Sequence, residues 1–121
     1  MKRRLFLAAV ALLPSMASAH EPRKGPHGGI LVDAGPYHIE VAMKGTTVDV
    51  YVTDGADRPV LAVGFKATAI LAIDGKPQRI VLGPADGNRL TGQSTITMSG
   101  APKGAVLLTA PDGKTAQAKV D

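Results

Sequence analysis

Short runs of alternating hydrophobic and polar residues, separated by turn signals, dominate the chain after residue 29. The dipeptide Asp-Gly occurs at positions 54, 74, 86 and 112, and it favours tight hairpin turns because both residues tolerate a positive φ angle. The runs between these turns are rich in Val, Ile, Thr and Tyr, which favour strands. No long window keeps a helical hydrophobic period. The pattern predicts strands at 30–33, 37–43, 47–53, 67–73, 78–82, 89–98, 104–110 and 114–120.

Strands of this length and spacing are typical of an all-β domain. We therefore predict that residues 30–121 form a small antiparallel β-sandwich, either immunoglobulin-like or cupredoxin-like. The periodicity does not distinguish these two types, because it carries no information on strand order. Residues 20–29 are dense in Pro, Gly and charge, and we predict that they form a flexible segment leading into the first strand.

The strands at 37–43 and 47–53 can be paired from their pattern alone. Successive side chains of a strand point to opposite faces, and apolar residues alternate with polar ones in both runs. A two-residue turn at Lys44-Gly45 would place Val41 opposite Val48 on the inner face. A slip by one residue would turn one apolar set outward, so the pattern favours this register.

The same register makes a prediction for the outer face of the hairpin. It places Glu40 opposite Asp49 and His38 opposite Tyr51. Like charges directly opposed on a sheet are destabilising. The predicted pair of carboxylates therefore favours a neighbouring cation, which is a Lys or Arg side chain, a protonated His or a metal ion.

The first nineteen residues have the composition of a targeting segment. A basic run at 2–4 precedes an apolar run at 5–13, and the small residues Ala17-Ser18-Ala19 follow. This order is that of a secretory signal peptide, and the apolar run is much shorter than the roughly 20 residues that span a bilayer. A buried N-terminal helix is the alternative. We expect residues 1–19 to be removed, the protein to be periplasmic and the mature chain to begin at His20.

Removal of this leader changes the charge balance. The whole chain has a formal charge of +4, and without the three leader cations 11 Lys and Arg remain against 10 Asp and Glu. A nearly neutral surface has little attraction for phosphate backbones, and 3% aromatic residues leave no platform for stacking bases. Nucleic acid is therefore excluded as a partner. Since the chain has no Cys, any metal site must use mainly nitrogen and oxygen ligands.

The histidines point to such a site. His20, His27 and His38 lie within nineteen residues, and no His follows in the rest of the chain. Imidazole is the commonest protein ligand of Zn(II) and Cu(II). The two glycines after His27 allow a sharp turn towards the strand that carries His38. Glu40 projects on the same side as His38, and it either binds the metal or fixes a His tautomer. An exposed turn histidine and an ordinary polar strand pair are the alternatives.

The metal depends on whether His20 takes part. A free terminal amine and the His20 imidazole can chelate Cu(II), and another His would complete three nitrogen ligands. Without His20, the better prediction is Zn(II) bound by His27, His38 and Glu40. Water or Asp49 would then supply the fourth ligand, since Zn(II) prefers four.

The stretch PHGGILVDAGPYHIEVAMKGTTVDVYVTD, followed by RPV, is similar to a known group of domains. It resembles the N-terminal metal-binding domain of periplasmic adaptors of heavy-metal efflux pumps, the CzcB-like group, over roughly residues 25–83. That resemblance implies Zn(II) or related ions at His27 and His38, and a component of a metal efflux system as partner. The chain lacks the helical hairpin, lipoyl and barrel domains of a full adaptor. The chain is also more weakly similar to copper carriers of the CopC type, whose mature chain begins with His, as this chain would at His20.

These observations favour a periplasmic metal-binding protein that is not an enzyme and that buffers or carries Cu(II) or Zn(II) or confers resistance to it. The alternative is a metal-free interaction domain that docks to an exported partner. A copper oxidoreductase that uses His20 is a third possibility, which the few aromatic residues disfavour. Hydrolytic catalysis has no support, because the chain has no G-x-S-x-G motif and its histidines all lie at one end.

Overall fold

Nine β-strands form the regular structure of the protein in a computed structural model, which describes residues 23–97 and 101–120. All strand pairs are antiparallel, and the described residues form no helix. The predicted all-β antiparallel fold is therefore confirmed. The strands are β1 (Arg23–Lys24), β2 (Ile30–Ala34), β3 (Tyr37–Lys44), β4 (Thr47–Thr53), β5 (Lys66–Ile73), β6 (Lys76–Pro84), β7 (Arg89–Gln93), β8 (Gly104–Thr109) and β9 (Thr115–Val120).

The strands lie in the order β1-β2-β3-β4-β7-β6-β5-β8-β9 within one curled sheet. Strands β5, β6 and β7 follow each other as hairpins, and β8 returns beside β5, which is a Greek key. Strand β6 pairs with β5 along most of its length and with β7 at its end, so it belongs to both halves of the sheet. The curl brings β2 against β9. The two halves therefore face each other across one core, with their outer faces on opposite sides.

The core consists of small and medium aliphatic side chains from both halves. Burial alternates along β4 and β5, as a strand with one face on a core requires. Val50, Leu82 and Leu90 are among the fully buried side chains. Tyr37 and Phe65 meet edge to face, with their ring centroids 5.3 Å apart.

The β3–β4 hairpin differs from its predicted register by two residues. The turn is Gly45-Thr46, so Val41 pairs with Val50 and not with Val48. Gly45 has a φ of 60° and occupies the first turn position, where a type II′ turn requires glycine; the prediction had placed it second. A shift by two keeps every side chain on its face, so the apolar residues still point inward. The pairs across the hairpin, however, are different.

The N-terminal part of the described chain joins the sheet. Strand β1 lies within the segment predicted to be flexible, and its two residues pair with Ile30 and Leu31. Between β1 and β2 the chain turns back on itself, with Gly25 N–H donating to the Gly29 carbonyl at 2.9 Å. The predicted signal peptide and His20 lie outside the described residues. In the part that is described, no helix has the length and hydropathy to cross a membrane.

Candidate functional site

Most of the predicted site residues lie on one surface, the outer face of β2, β3 and β4, which we call the histidine face. His38 and Glu40 are two residues apart on β3 and therefore point the same way. Across the neighbouring strands, Asp33 of β2 pairs with His38 and Tyr51 of β4 pairs with Glu40. His27 reaches this face from the turn between β1 and β2.

Glu40 is on the outer face of the sheet and is nevertheless buried, with 2% of its surface exposed. Its Oε2 accepts hydrogen bonds from the N–H groups of His27 at 2.7 Å and Gly29 at 2.8 Å. Its Oε1 lies 2.7 Å from Nδ1 of His27. A Cβ atom on Gly25 would overlap the carboxyl group, so a larger residue there would displace the Glu40 side chain. The turn at 25–29 is thus folded around one carboxylate whose two oxygens both have partners.

The His27 ring is held at two points. Besides its contact with Glu40, it stacks on Tyr51 with ring centroids 3.6 Å apart and an interplanar angle of 1°. Because a carboxylate only accepts hydrogen bonds, the contact with Glu40 places a ring proton on Nδ1, and in the neutral ring the lone pair is then on Nε2. The side chain is 46% exposed. His27 therefore has an oriented ring whose Nε2 is the nitrogen left for a further partner.

His38 lies between two aspartates. Its Nδ1 is 2.9 Å from Oδ1 of Asp57, and its Nε2 is 3.4 Å from Oδ1 of Asp33. The side chain is only 21% exposed. Asp57 has a φ of 63°, in the left-handed region that few residues other than glycine adopt. The Asp54 carboxylate shapes the loop by accepting the N–H groups of Ala56 and Arg58.

Sequence reasoning did not single out Asp33 and Asp57. The position of Asp33 opposite His38 follows from the tight hairpin around Gly35-Pro36, since Ala34 pairs with Tyr37 and the next pair is Asp33 with His38. That signal was present in the sequence. Asp57 belongs to a loop, and no periodicity relates a loop residue to a strand.

Asp49 is not part of this group. It pairs with Ala42 across the hairpin, so the predicted clash with Glu40 does not occur. Its carboxylate forms an ion pair with Arg89 at 3.2 Å, and Arg89 also contacts Asp86 at 2.9 Å. The cation expected beside Asp49 is thus an arginine. The hydrogen bond from Arg89 holds the pKa of Asp86 below its ordinary value.

Tyr51 of β4 lies on the histidine face, where it pairs with Glu40 across the strands and stacks on the His27 ring. Burial raises the pKa of its phenol above the ordinary 10.0, and the negative charges of Asp49 and Glu40 raise it further, while Arg89 opposes them. The phenol therefore stays neutral over the physiological range. A neutral ring is the form that stacks on His27.

The histidine face thus contains two imidazoles, and Nδ1 of each is hydrogen-bonded to a carboxylate. Within the described ranges, no group of three or more His, Cys, Asp or Glu side chains is arranged so that it could hold a metal ion. Glu40 already accepts three hydrogen bonds, which suits it to fixing the His27 tautomer, the second of the two roles considered for it. The nitrogen atoms left for a metal ion are Nε2 of His27 and Nε2 of His38, the latter 3.4 Å from Asp33, and further ligands must come from elsewhere.

Comparisons of the chain with protein-family models, curated proteins and solved structures find no match. The functional assignment therefore depends on the chemistry of the histidine face.

Proposed function

We propose that this protein is a periplasmic metal-binding protein that buffers or carries Cu(II) or Zn(II), or contributes to resistance against it, without catalysing a reaction. One observation carries the proposal. His27 and His38 lie on the same face of the sheet, and each has a carboxylate hydrogen-bonded to Nδ1.

A carboxylate on the far nitrogen is the usual environment of a metal-binding histidine. It fixes the tautomer, orients the ring and increases the basicity of the nitrogen that binds the metal. The Glu40–His27 pair is further ordered by the stacked Tyr51 ring, so little side-chain entropy remains to be lost on binding.

The proposed nitrogen ligands are Nε2 of His27 and Nε2 of His38. His38 and Glu40 are two residues apart on β3, so their side chains leave the strand about 7 Å apart on one face, and His27 contacts Glu40. Asp33 lies 3.4 Å from Nε2 of His38, but it does not complete a three-ligand group with the two histidines. Water or the terminal His20 would complete the four ligands that Zn(II) prefers, and a contribution from the His20 amine would favour Cu(II).

A site with two protein nitrogens, one of them 46% exposed, suits reversible binding and transfer of the ion. This agrees with the resemblance to the metal-binding domain of CzcB-like adaptors, in which the corresponding residues are His27 and His38. The leader at 1–19 supports a periplasmic location, where an efflux system component would be the partner.

Calorimetric titration with Cu(II) and Zn(II) tests the proposal on the mature chain, secreted so that its N-terminus is native. We expect at least micromolar affinity, and we expect His27→Ala and His38→Ala each to abolish it. Gln117→Ala, an exposed substitution on β9, is the control and should leave binding unchanged. One added residue before His20 weakens Cu(II) selectively if the amine is a ligand. Absence of binding, or binding that survives both histidine substitutions, would refute the proposal.

A further inference from the structure

The other half of the sheet presents an outer surface of a different kind, formed by β5, β6, β8 and β9. Its centre contains large apolar side chains that are exposed, Ile70 at 42%, Leu107 at 43% and Val81 at 62%. Exposed basic side chains surround them. We call this surface the cationic face and define it by Lys66, Ile70, Arg79, Val81, Leu107 and Lys119.

The strand register places these groups in two neighbouring rows. One row runs across the sheet from Arg79 through Ile70 and Ala105 to Lys119, so a cation stands at each end of an apolar centre. In the row beside it, Thr68 lies between Val81 and Leu107. Lys66, two residues before Thr68 on β5, points to the same face. Apolar and cationic groups therefore share one continuous surface.

Charge is segregated between the two outer faces. Each of β2, β3 and β4 contains one acidic residue, respectively Asp33, Glu40 and Asp49. None of β5, β6, β8 and β9 contains any. Among the ion pairs of the described residues, none involves the three cations of the cationic face. None of these three cations is therefore in an ion pair with a described acidic residue.

We infer that the cationic face binds the surface of an anionic lipid bilayer. A bilayer surface offers a plane of phosphate groups above an apolar layer, which complements a broad sheet face with an apolar centre and a basic rim. The long Lys and Arg side chains can reach the phosphates while the aliphatic side chains enter the interface. The face has no aromatic residue, and aromatic anchors are the usual centre of a strong protein–protein interface.

A second copy of the chain is a poorer occupant of this surface. In a symmetric dimer the same patch meets itself, which would bring two sets of cations together. Binding to a bilayer also fixes the orientation of the molecule. Because the two outer faces point to opposite sides of the core, the histidine face would point away from the membrane.

Vesicle sedimentation tests this inference with the mature protein. Vesicles of phosphatidylcholine containing phosphatidylglycerol should bind it, and vesicles of phosphatidylcholine alone should not. The triple variant Lys66→Gln, Arg79→Gln and Lys119→Gln should lose about 100-fold in affinity, since each cation near an anionic surface contributes about fivefold. The control triple variant Lys24→Gln, Lys44→Gln and Arg58→Gln has the same net charge and should retain binding.

The apolar centre has its own variant, Val81→Ser combined with Leu107→Ser, which should weaken binding several-fold while circular dichroism shows an unchanged fold. Sedimentation velocity without lipid should show a monomer. Failure to bind the anionic vesicles, or equal losses in both triple variants, would overturn the inference. A dimer that the triple variant of the cationic face dissociates would also overturn it, in favour of a second copy as the occupant.

Discussion

Both outer faces of the sheet are built from strands in which inward and outward side chains alternate, but the two faces differ in what they bury. The histidine face buries a carboxylate, and the cationic face exposes large apolar side chains. On the histidine face, the turn at 25–29 and the loop at 54–58 fold over the strands, and Glu40 becomes buried among hydrogen-bond donors. On the cationic face, Val81 and Leu107 stay exposed. A polar group is thus buried on one face and apolar groups are exposed on the other, whereas the usual arrangement places apolar residues inside and polar residues at the surface. Such reversals mark the places where a sheet face has a role beyond enclosing the core.

The largest effect is expected from removing the carboxylate that holds the turn at 25–29. Glu40→Ala leaves three donors without their acceptor, one of them buried and two partly buried, and it should lower the free energy of unfolding by about 3 kcal/mol. Urea unfolding measures this. Gln117→Ala on the opposite half should change stability by no more than about 0.5 kcal/mol. Similar small changes in both variants would show that the turn does not depend on Glu40.

The next largest effect on stability is expected from adding a methyl group at Gly25, which lies against Glu40. Gly25→Ala places a Cβ against the Glu40 carboxyl group and should destabilise the protein by about 2 kcal/mol through overpacking. Gly55→Ala is the matched control, because its added Cβ meets only the Pro36 carbonyl oxygen, at 3.8 Å. Thermal unfolding compares the two variants. Equal melting temperatures would contradict the close approach of Gly25 to Glu40.

The orientation of His38 should affect metal binding more than it affects folding. Asp57→Gly removes the carboxylate on Nδ1, while glycine adopts the φ of 63° without strain. Zn(II) affinity should fall by about tenfold, as is usual when such a partner of a metal ligand is lost. Asp74→Gly is the control, since Asp74 also has a positive φ, 53°, and belongs to the distant β5–β6 turn. An unchanged affinity in Asp57→Gly would exclude a role for this carboxylate.

The smallest effect concerns the alkaline titration of Tyr51. Its pKa is raised above 10.0, first by burial and then by Asp49, so the neutral phenol stabilises the fold in full below pH 10.0. That contribution is lost as the pH rises through the pKa of the folded state. The ultraviolet absorbance of phenolate should show a late transition that Tyr51→Phe removes and Asp49→Asn shifts towards lower pH. Titration of Tyr51 at or below pH 10.0 would contradict its burial under His27.

The sequence allowed the strands to be located because their alternation and Asp-Gly turns are local signals. The β3–β4 register was wrong by two residues, because the hydrophobic pattern is insensitive to a shift by two and only the position of Gly45 in the turn decides it. The predicted opposition of Glu40 and Asp49 failed for the same reason. The pairing of Asp49 with Arg89 depends on the non-sequential neighbours β4 and β7, which the periodicity does not reveal.

For the site, the sequence identified His27, His38 and Glu40 as residues of one face, but it did not assign their contacts. Glu40 appeared as an exposed strand residue because its burial is produced by the turn at 25–29 folding back over the sheet. Asp57 reaches His38 through a loop whose path no residue pattern specifies. Long-range contacts made by turns and loops are therefore the part of the site that required the structure.

The central claim is that His27 and His38 bind one metal ion through their Nε2 atoms. Nitrogen-15 NMR of the imidazole rings during Zn(II) titration tests it most directly, because the chemical shifts distinguish Nδ1 from Nε2 in each ring. We expect Nε2 of both rings to shift in parallel, with one endpoint at one zinc per chain, while both Nδ1 atoms stay protonated beside Glu40 and Asp57. Shifts at neither ring, at only one of them, or at Nδ1 would contradict the claim.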